Sequence, residues 1–218
     1  MQSAPPSAAA LLRRQRVHEA VRELMAEQGF RVSMDAVAAR AGCSKQTLYT
    51  QFGSKQALLR SVMQEHLELA TAPLNESESD PRTVLLAFAQ EHLQRLVDPS
   101  VVATCQVLSG QAHQFSEAAW ALYRDGWQPL EQRLADWLQG AMQRGQLRPE
   151  HPGQTAELLL GMVIGLDSER QRLSFPHRDD AAARRIWAEF AIDAFLRAFS
   201  PYADTIGGRA APRISPEN

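Results

Sequence analysis

The residues from Ser44 to Phe52, Ser-Lys-Gln-Thr-Leu-Tyr-Thr-Gln-Phe, can form many hydrogen bonds and include no acid. On a helix at about 100° per residue, Leu48 and Phe52 point one way. Gln46 and Thr50 point the other way, with Thr47 and Tyr49 on the flanks. A face that only met water would more often carry Glu and Lys. This one suits a polyanion with readable edges. Gln can pair with adenine, and Thr can bond a base edge or touch a thymine methyl. The Tyr49 hydroxyl or the Lys45 ammonium can reach a phosphate. A helix start opened by Ser44 offers free amides and partial positive charge to phosphate oxygens. Lys55, with the amides of the following helix, could clamp another phosphate. Ser33, at the start of the preceding helix, belongs to the same surface, and Gln51 completes the set: Ser33, Ser44, Lys45, Gln46, Thr47, Tyr49, Thr50, Gln51 and Lys55.

Positioning such a face takes a scaffold, and the flanking residues supply one. Apolar residues at Val17, Ala20, Val21, Leu24 and Met25 keep helical period from about Leu11 to Gln28, and Gly29 reads as a stop. Ser33 can cap a helix over 34–41, ended by Gly42; Ser44 caps 45–52, ended by Gly53; Ser54 opens a fourth helix to about Thr71. Two short helices joined by a tight glycine turn form a helix-turn-helix. Ala38, Ala41 and Gly42 keep the crossing narrow. Val37, Cys43, Leu48 and Phe52 can close a small core with Leu24 and Phe30.

The run Ala36-Val37-Ala38-Ala39-Arg40-Ala41-Gly42-Cys43-Ser44-Lys45-Gln46-Thr47-Leu48-Tyr49-Thr50-Gln51-Phe52-Gly53-Ser54-Lys55 closely resembles the DNA-binding signature of TetR-family (tetracycline-repressor-like) transcriptional regulators. The resemblance covers about residues 12–60. It implies that Thr47, Tyr49 and Lys55 position the helix on the backbone while Lys45, Gln46, Thr50 and Gln51 face bases. Two positions depart from the pattern: Cys43 stands where the family usually has a bulky aliphatic residue, and Gln51 where it often has His. From Leu58 onward the chain loosely resembles the AefR-type group. The competing reading of the motif is a helical hairpin inside an ordinary bundle.

Charge leans the same way. Residues 1–60 carry nine basic and four acidic side chains, the remainder 14 and 21, although the whole 218-residue chain has a net charge of only −2. A basic end on an acidic body is an electrostatic footprint for polyanions, or else a solvated surface. Arg13, Arg14 and Arg16 are either an arm toward the nucleic acid or a disordered basic terminus.

Helical signals continue after a polar linker at 75–81: 83–97, 100–111, 117–144 as one long helix or a pair broken at Pro129, 154–173 and 181–199. The expected fold is all-α, about nine helices in total. A three-helix helix-turn-helix head spans residues 10–56 and a helical bundle for ligand binding and dimerisation spans 57–199, with flexible tails at 1–9 and 200–218. A single head contacts few base pairs, so a homodimer reading two half-sites is expected. Leu159, Met162, Val163, Leu166, Trp187, Phe190 and Ala194 are the candidate dimer contacts, or else core of a single protomer; the resemblance implies that the last two long helices pair across the dimer. It also implies a cavity for a small apolar or aromatic effector. His113, Trp120, Tyr123, Trp127 and Arg170 are the candidate lining, and the aromatic stripe at three- and four-residue spacing is alternatively plain core. Asp167 and Arg170, one turn apart, are expected to pair with each other or across the dimer.

The functional reading is a DNA-binding regulator, a ligand-responsive repressor on a palindromic operator. The rival is an all-α enzyme or small-molecule carrier. That rival needs a nucleophile with a base, a metal set or a cofactor motif. The six histidines show no HExxH spacing, and neither a phosphate loop nor a Gly-x-Ser-x-Gly elbow occurs. No catalytic residue, metal or cofactor is expected. No run of 18 uncharged apolar residues occurs and the first residues lack a signal-peptide pattern, so no membrane partner is expected. Two cysteines without metal spacing fit a reducing cytoplasm.

Overall fold

The computed structural model describes residues 8–76, 79–175 and 178–201. Among them there is no strand. The helices are α1 (Ala8–Gln28), α2 (Met34–Ala41), α3 (Lys45–Phe52), α4 (Lys55–Thr71), α5 (Pro81–Leu96), α6 (Pro99–Gln111), α7 (Ser116–Leu122), α8 (Gln128–Gln143), α9 (Pro152–Ile164), α10 (Asp167–Arg172) and α11 (Ala181–Phe199). None of them is long and apolar enough to cross a membrane. The expected tails lie largely outside the described residues, but Ala8 and Ala9 already belong to α1.

The caps fall where the serines predict. Ser33, Ser44 and Ser54 each accept from the amide three residues on, at 3.1–3.2 Å. Asp80, Asp98 and Asp180 do the same for α5, α6 and α11. Gly42 takes φ 65°, the left-handed conformation that the turn between α2 and α3 requires.

Two clusters of buried apolar side chains organise the chain. One fills the N-terminal unit: Val17, Val21 and Leu24 of α1, Val37 of α2, Leu48 of α3 and Leu58 of α4, with Phe30 between. Leu108 of α6 joins it, and Cys43 and Phe52 pack at its edge. The other fills the body, where Phe88 of α5, Leu134 and Leu138 of α8, Leu159 of α9 and Phe195 of α11 are all fully buried.

The body departs from the sequence expectation in one place and refines it in another. The helix expected over 154–173 is broken. α9 stops at Ile164, the chain turns at Gly165, and α10 resumes at Asp167. The Trp187 indole N–H donates to the Val163 carbonyl at 2.8 Å, satisfying an acceptor that the helix end would strand. Beside it, Arg178 lies flat over the Trp187 ring at 3.8 Å and pairs with the buried Asp167, which Arg170 also approaches at 3.4 Å. The second place is Pro129, where one long helix or a broken pair is expected. α7 passes into α8 through a π-helical turn at Tyr123–Trp127. The proline ring would clash with the carbonyl four residues earlier, and the widened turn just upstream absorbs the conflict.

Leu48 is the only buried side chain of α3. Replacing it with Ala should cost about 2–5 kcal/mol of stability. Urea denaturation of the full chain checks this, and a loss well under 1 kcal/mol would show that α3 is held by something else.

Candidate nucleic-acid interface and internal cavity

Helix α3 is anchored by Leu48, with Phe52 at the edge of the core, and presents its other face to solvent. Lys45, Gln46, Thr50 and Gln51 are exposed, and Tyr49 is 45% exposed. Lys45, Gln46, Tyr49 and Thr50 border one shallow surface hollow. The Ser44 and Thr47 hydroxyls bond each other at 2.8 Å, tying the cap to the first turn. Ser33 is exposed, and its hydroxyl is engaged in capping α2.

Two cations of this region have partners. The Lys45 ammonium sits 2.8 Å from Asp35 of α2, a contact that raises its pKa. The pair is exposed and weak, so a phosphate can compete for the lysine. Lys55 corrects the expectation. Its Nζ donates to the Phe30 carbonyl at 3.1 Å, and burial lowers its pKa. It straps α4 to the turn after α1 instead of reaching outward. Arg13, Arg14 and Arg16 lie exposed on the first turns of α1, a helix and not a loose arm.

The same strap region is latched to α6. Gln111 accepts from the Phe30 amide at 3.0 Å and donates to the Gln28 carbonyl at 3.2 Å. Gly29 makes this approach possible: φ is 59°, and a Cβ there would stand 2.6 Å from the Gln111 amide oxygen. On the other side, the buried His18 of α1 bonds Glu65 at 2.6 Å and Ser61 at 3.0 Å, both on α4. Burial holds the imidazole below its ordinary pKa against the pull of Glu65.

Behind these contacts is a cavity of about 370 Å³. Val21 and Met25 of α1 and Phe30 form its wall toward the N-terminal unit; α4, α5 and α6 and the α7–α8 segment close the rest. Of the sequence candidates only Trp127 lines it. Trp120 and Tyr123 meet at a tilt, ring centres 5.6 Å apart, on the outer surface, 69% and 45% exposed. His113 is exposed, and Arg170 stays with Asp167. The π turn explains the split. Its wider turn shifts the helical register by roughly one residue, or about 100°, so Trp127 no longer shares the face of Trp120. The inward face of α7 carries Ala118, Ala121 and Leu122 instead. Small residues keep the space open where aromatics would fill it.

Sequence reasoning missed His92 and Arg95 of α5, which do line the cavity. His92 is 5% exposed, stacks on Phe88 at 5.8 Å and meets the edge of Trp127 at 6.3 Å. Its place in the buried row Leu85, Phe88, Ala89, His92 was a readable signal: one polar residue where the helix period demands an apolar one.

The dimer candidates divide. Leu166 and Phe190 are 62% and 59% exposed, and Met162, Trp187 and Ala194 are half-buried. Leu159 and Val163 are fully buried inside the protomer core and present nothing to a partner. The row read as apolar on all sides has one face against α8 and α11 and another toward solvent.

Known proteins show the same arrangement. Residues 18–62 match the model of bacterial regulatory proteins of the tetR family, and residues 83–201 match the C-terminal domain of AefR-like transcriptional repressors. Among solved structures, the flavonoid-responsive regulator FrrA is 28% identical, with a TM-score of 0.62 over 89% of this chain and 100% of its own. A TetR transcriptional regulator from Agrobacterium tumefaciens is 23% identical, with a TM-score of 0.66 over 87% and 95%. A TetR-family regulator from Pseudomonas syringae pv. tomato is 24% identical, with a TM-score of 0.63 over 86% and 96%. No curated protein matches.

Burial pushes the His92 imidazole down to about 4. The unfolded chain protonates it near pH 6.5, so below that pH the unfolded state binds more protons and stability falls, levelling off below about pH 4. Between pH 7 and 5, wild type should lose about 2 kcal/mol relative to His92→Phe. Denaturation of both proteins at the two pH values checks this, and an unchanged gap would place the imidazole in water.

Proposed function

Because the chain belongs to the TetR family of transcriptional regulators, a family that binds DNA, we propose that it works as a homodimeric, ligand-responsive repressor on a palindromic operator. One observation carries this reading: an eight-residue helix sinks Leu48 into the core, rests Phe52 on the core's edge, and turns outward a face of Lys45, Gln46, Tyr49, Thr50 and Gln51 that is exposed and free of acid.

In this reading residues 10–56 form the DNA-binding head. Gln46, Thr50 and Gln51 face bases. Tyr49, Thr47, Ser44 and Lys45 hold the backbone, with Lys45 exchanging Asp35 for phosphate, and Ser33 adds the N-terminal end of α2. Lys55 keeps the head seated on α4. Residues 57–199 serve ligand binding and dimerisation. Leu166 and Phe190, joined by Met162, Trp187 and Ala194, face the partner, since exposed apolar side chains of this size at helical spacing need covering. Two heads would then read half-sites about 34–36 Å apart.

The cavity is the effector site of this reading, with Trp127 in its wall and an apolar or aromatic molecule as occupant. Its supports are the share that α1 and Phe30 take in the wall and the responsiveness that FrrA bears in its name. A ligand there presses on residues that also pack in the head core. It would favour the head position that its volume fits, and the head spacing would change with it. The proposal assigns the chain no catalytic reaction, metal or membrane partner, and places it in the cytoplasm.

Binding of the full chain to a duplex selected from random sequence should weaken steeply as salt rises. Gln46→Ala and Thr50→Ala should each cost about 1–3 kcal/mol on that duplex and nothing on unrelated DNA. Equal binding by both variants on the selected duplex would overturn the base-reading role of α3. In sedimentation, Phe190→Glu should turn a dimer into monomer. A variant that stays dimeric would move the interface elsewhere.

A further inference from the structure

We propose that the cavity takes an uncharged aromatic molecule of about two rings, fixed by one hydroxyl oxygen bridging His92 Nε2 and Arg95 Nε. The proposal rests on the reading of this cavity as the effector site and adds the chemistry of what enters it.

Two residues of the cavity wall each bury a polar atom without a partner, His92 its Nε2 and Arg95 its Nε. Buried polar groups are nearly always bonded, so a pair left open on one cavity wall marks where a ligand's own polar group would sit. The two residues stand three apart on α5, neighbours on one helix face. The guanidinium Nε–H can only donate, whereas the imidazole Nε2 can accept. One hydroxyl satisfies both, accepting from Arg95 and donating to His92.

The remaining cations of the wall are already matched. Arg22 pairs with Glu19 and Glu65, Arg60 with Asp125, and Arg95 itself with Glu91. Lys55 is spent on the Phe30 carbonyl. A carboxylate entering the cavity would lose its water and find no spare positive charge, which is costly. The occupant is therefore neutral. Its size follows from the space. At roughly 30 Å³ per water-sized group, about 370 Å³ holds on the order of a dozen heavy atoms. Its aromatic character follows from the aromatic side chains in the wall, Phe30, His92 and Trp127.

The probes are 4-phenylphenol, biphenyl and biphenyl-4-carboxylate, measured on the full chain by equilibrium dialysis. The phenol should bind about tenfold or more tighter than biphenyl, because biphenyl leaves both polar atoms unpaired. The carboxylate should bind weakest. His92→Phe and Arg95→Met should each bring the phenol to within about twofold of biphenyl while biphenyl binding persists, which also shows that the variants are folded. If His92→Phe does not fold, Arg95→Met decides alone. Equal binding of phenol and biphenyl to wild type would overturn the bridging hydroxyl and leave the cavity reading standing. Tightest binding by the carboxylate would overturn the neutral occupant. Binding of none of the three would sink the cavity reading along with this one.

Discussion

Helix α3 cannot hold its own shape. Eight residues lie below the length at which an isolated helix persists in water. Its conformation depends on Leu48 being sunk in the N-terminal core, on the Ser44 cap and on the Gly42 turn. The exposed face of α3 is thus a by-product of packing: Leu48 goes inward, Phe52 rests on the core's edge, and the polar side chains are left facing outward. The core that receives Leu48 is not closed by the first three helices alone. Leu58 of α4 and Leu108 of α6 complete it, so the shape of the head is partly a property of the body.

That sharing gives the molecule its logic as a regulator. Between α6 and the turn after α1 the Gln111 amide bonds two backbone groups, with Gly29 leaving room, and Leu108 packs into the same cluster as Phe30. The contacts between α1 and α4 run through His18, Glu65 and Ser61. Between these two attachments lies a space that the side chains do not fill. Packed interiors pass strain on because they do not compress. In the proposed reading, a molecule that fills a hollow bounded by both units acts on their relative position directly.

The cavity also shows how local irregularity serves a site. A regular helix from Ser116 to Gln143 would put Trp120, Tyr123 and Trp127 on one face. The π turn separates them and leaves alanines to face the hollow. His92 and Arg95 enter the same hollow from α5, a helix whose other inward residues are apolar. Both belong to the helix whose Phe88 lies at the centre of the body core.

Much of the head was legible in the one-dimensional chain because its signals are local. A serine three residues before an amide, a glycine after a helix and a polar face opposite Leu48 all act within one or two turns. The sequence was equally enough for the all-α class and for the resemblance in the head. It could not tell which apolar residues of 158–166 turn inward, since a row apolar on nearly all sides has no preferred face until α8 and α11 press on it. It could not foresee the break at Gly165, which a tryptophan 22 positions away stabilises, nor the turn of Lys55 toward Phe30. It misassigned the cavity lining because a period of 3.6 holds only while the helix is regular. Those outcomes depend on contacts between distant segments, and such contacts exist only once the chain is folded.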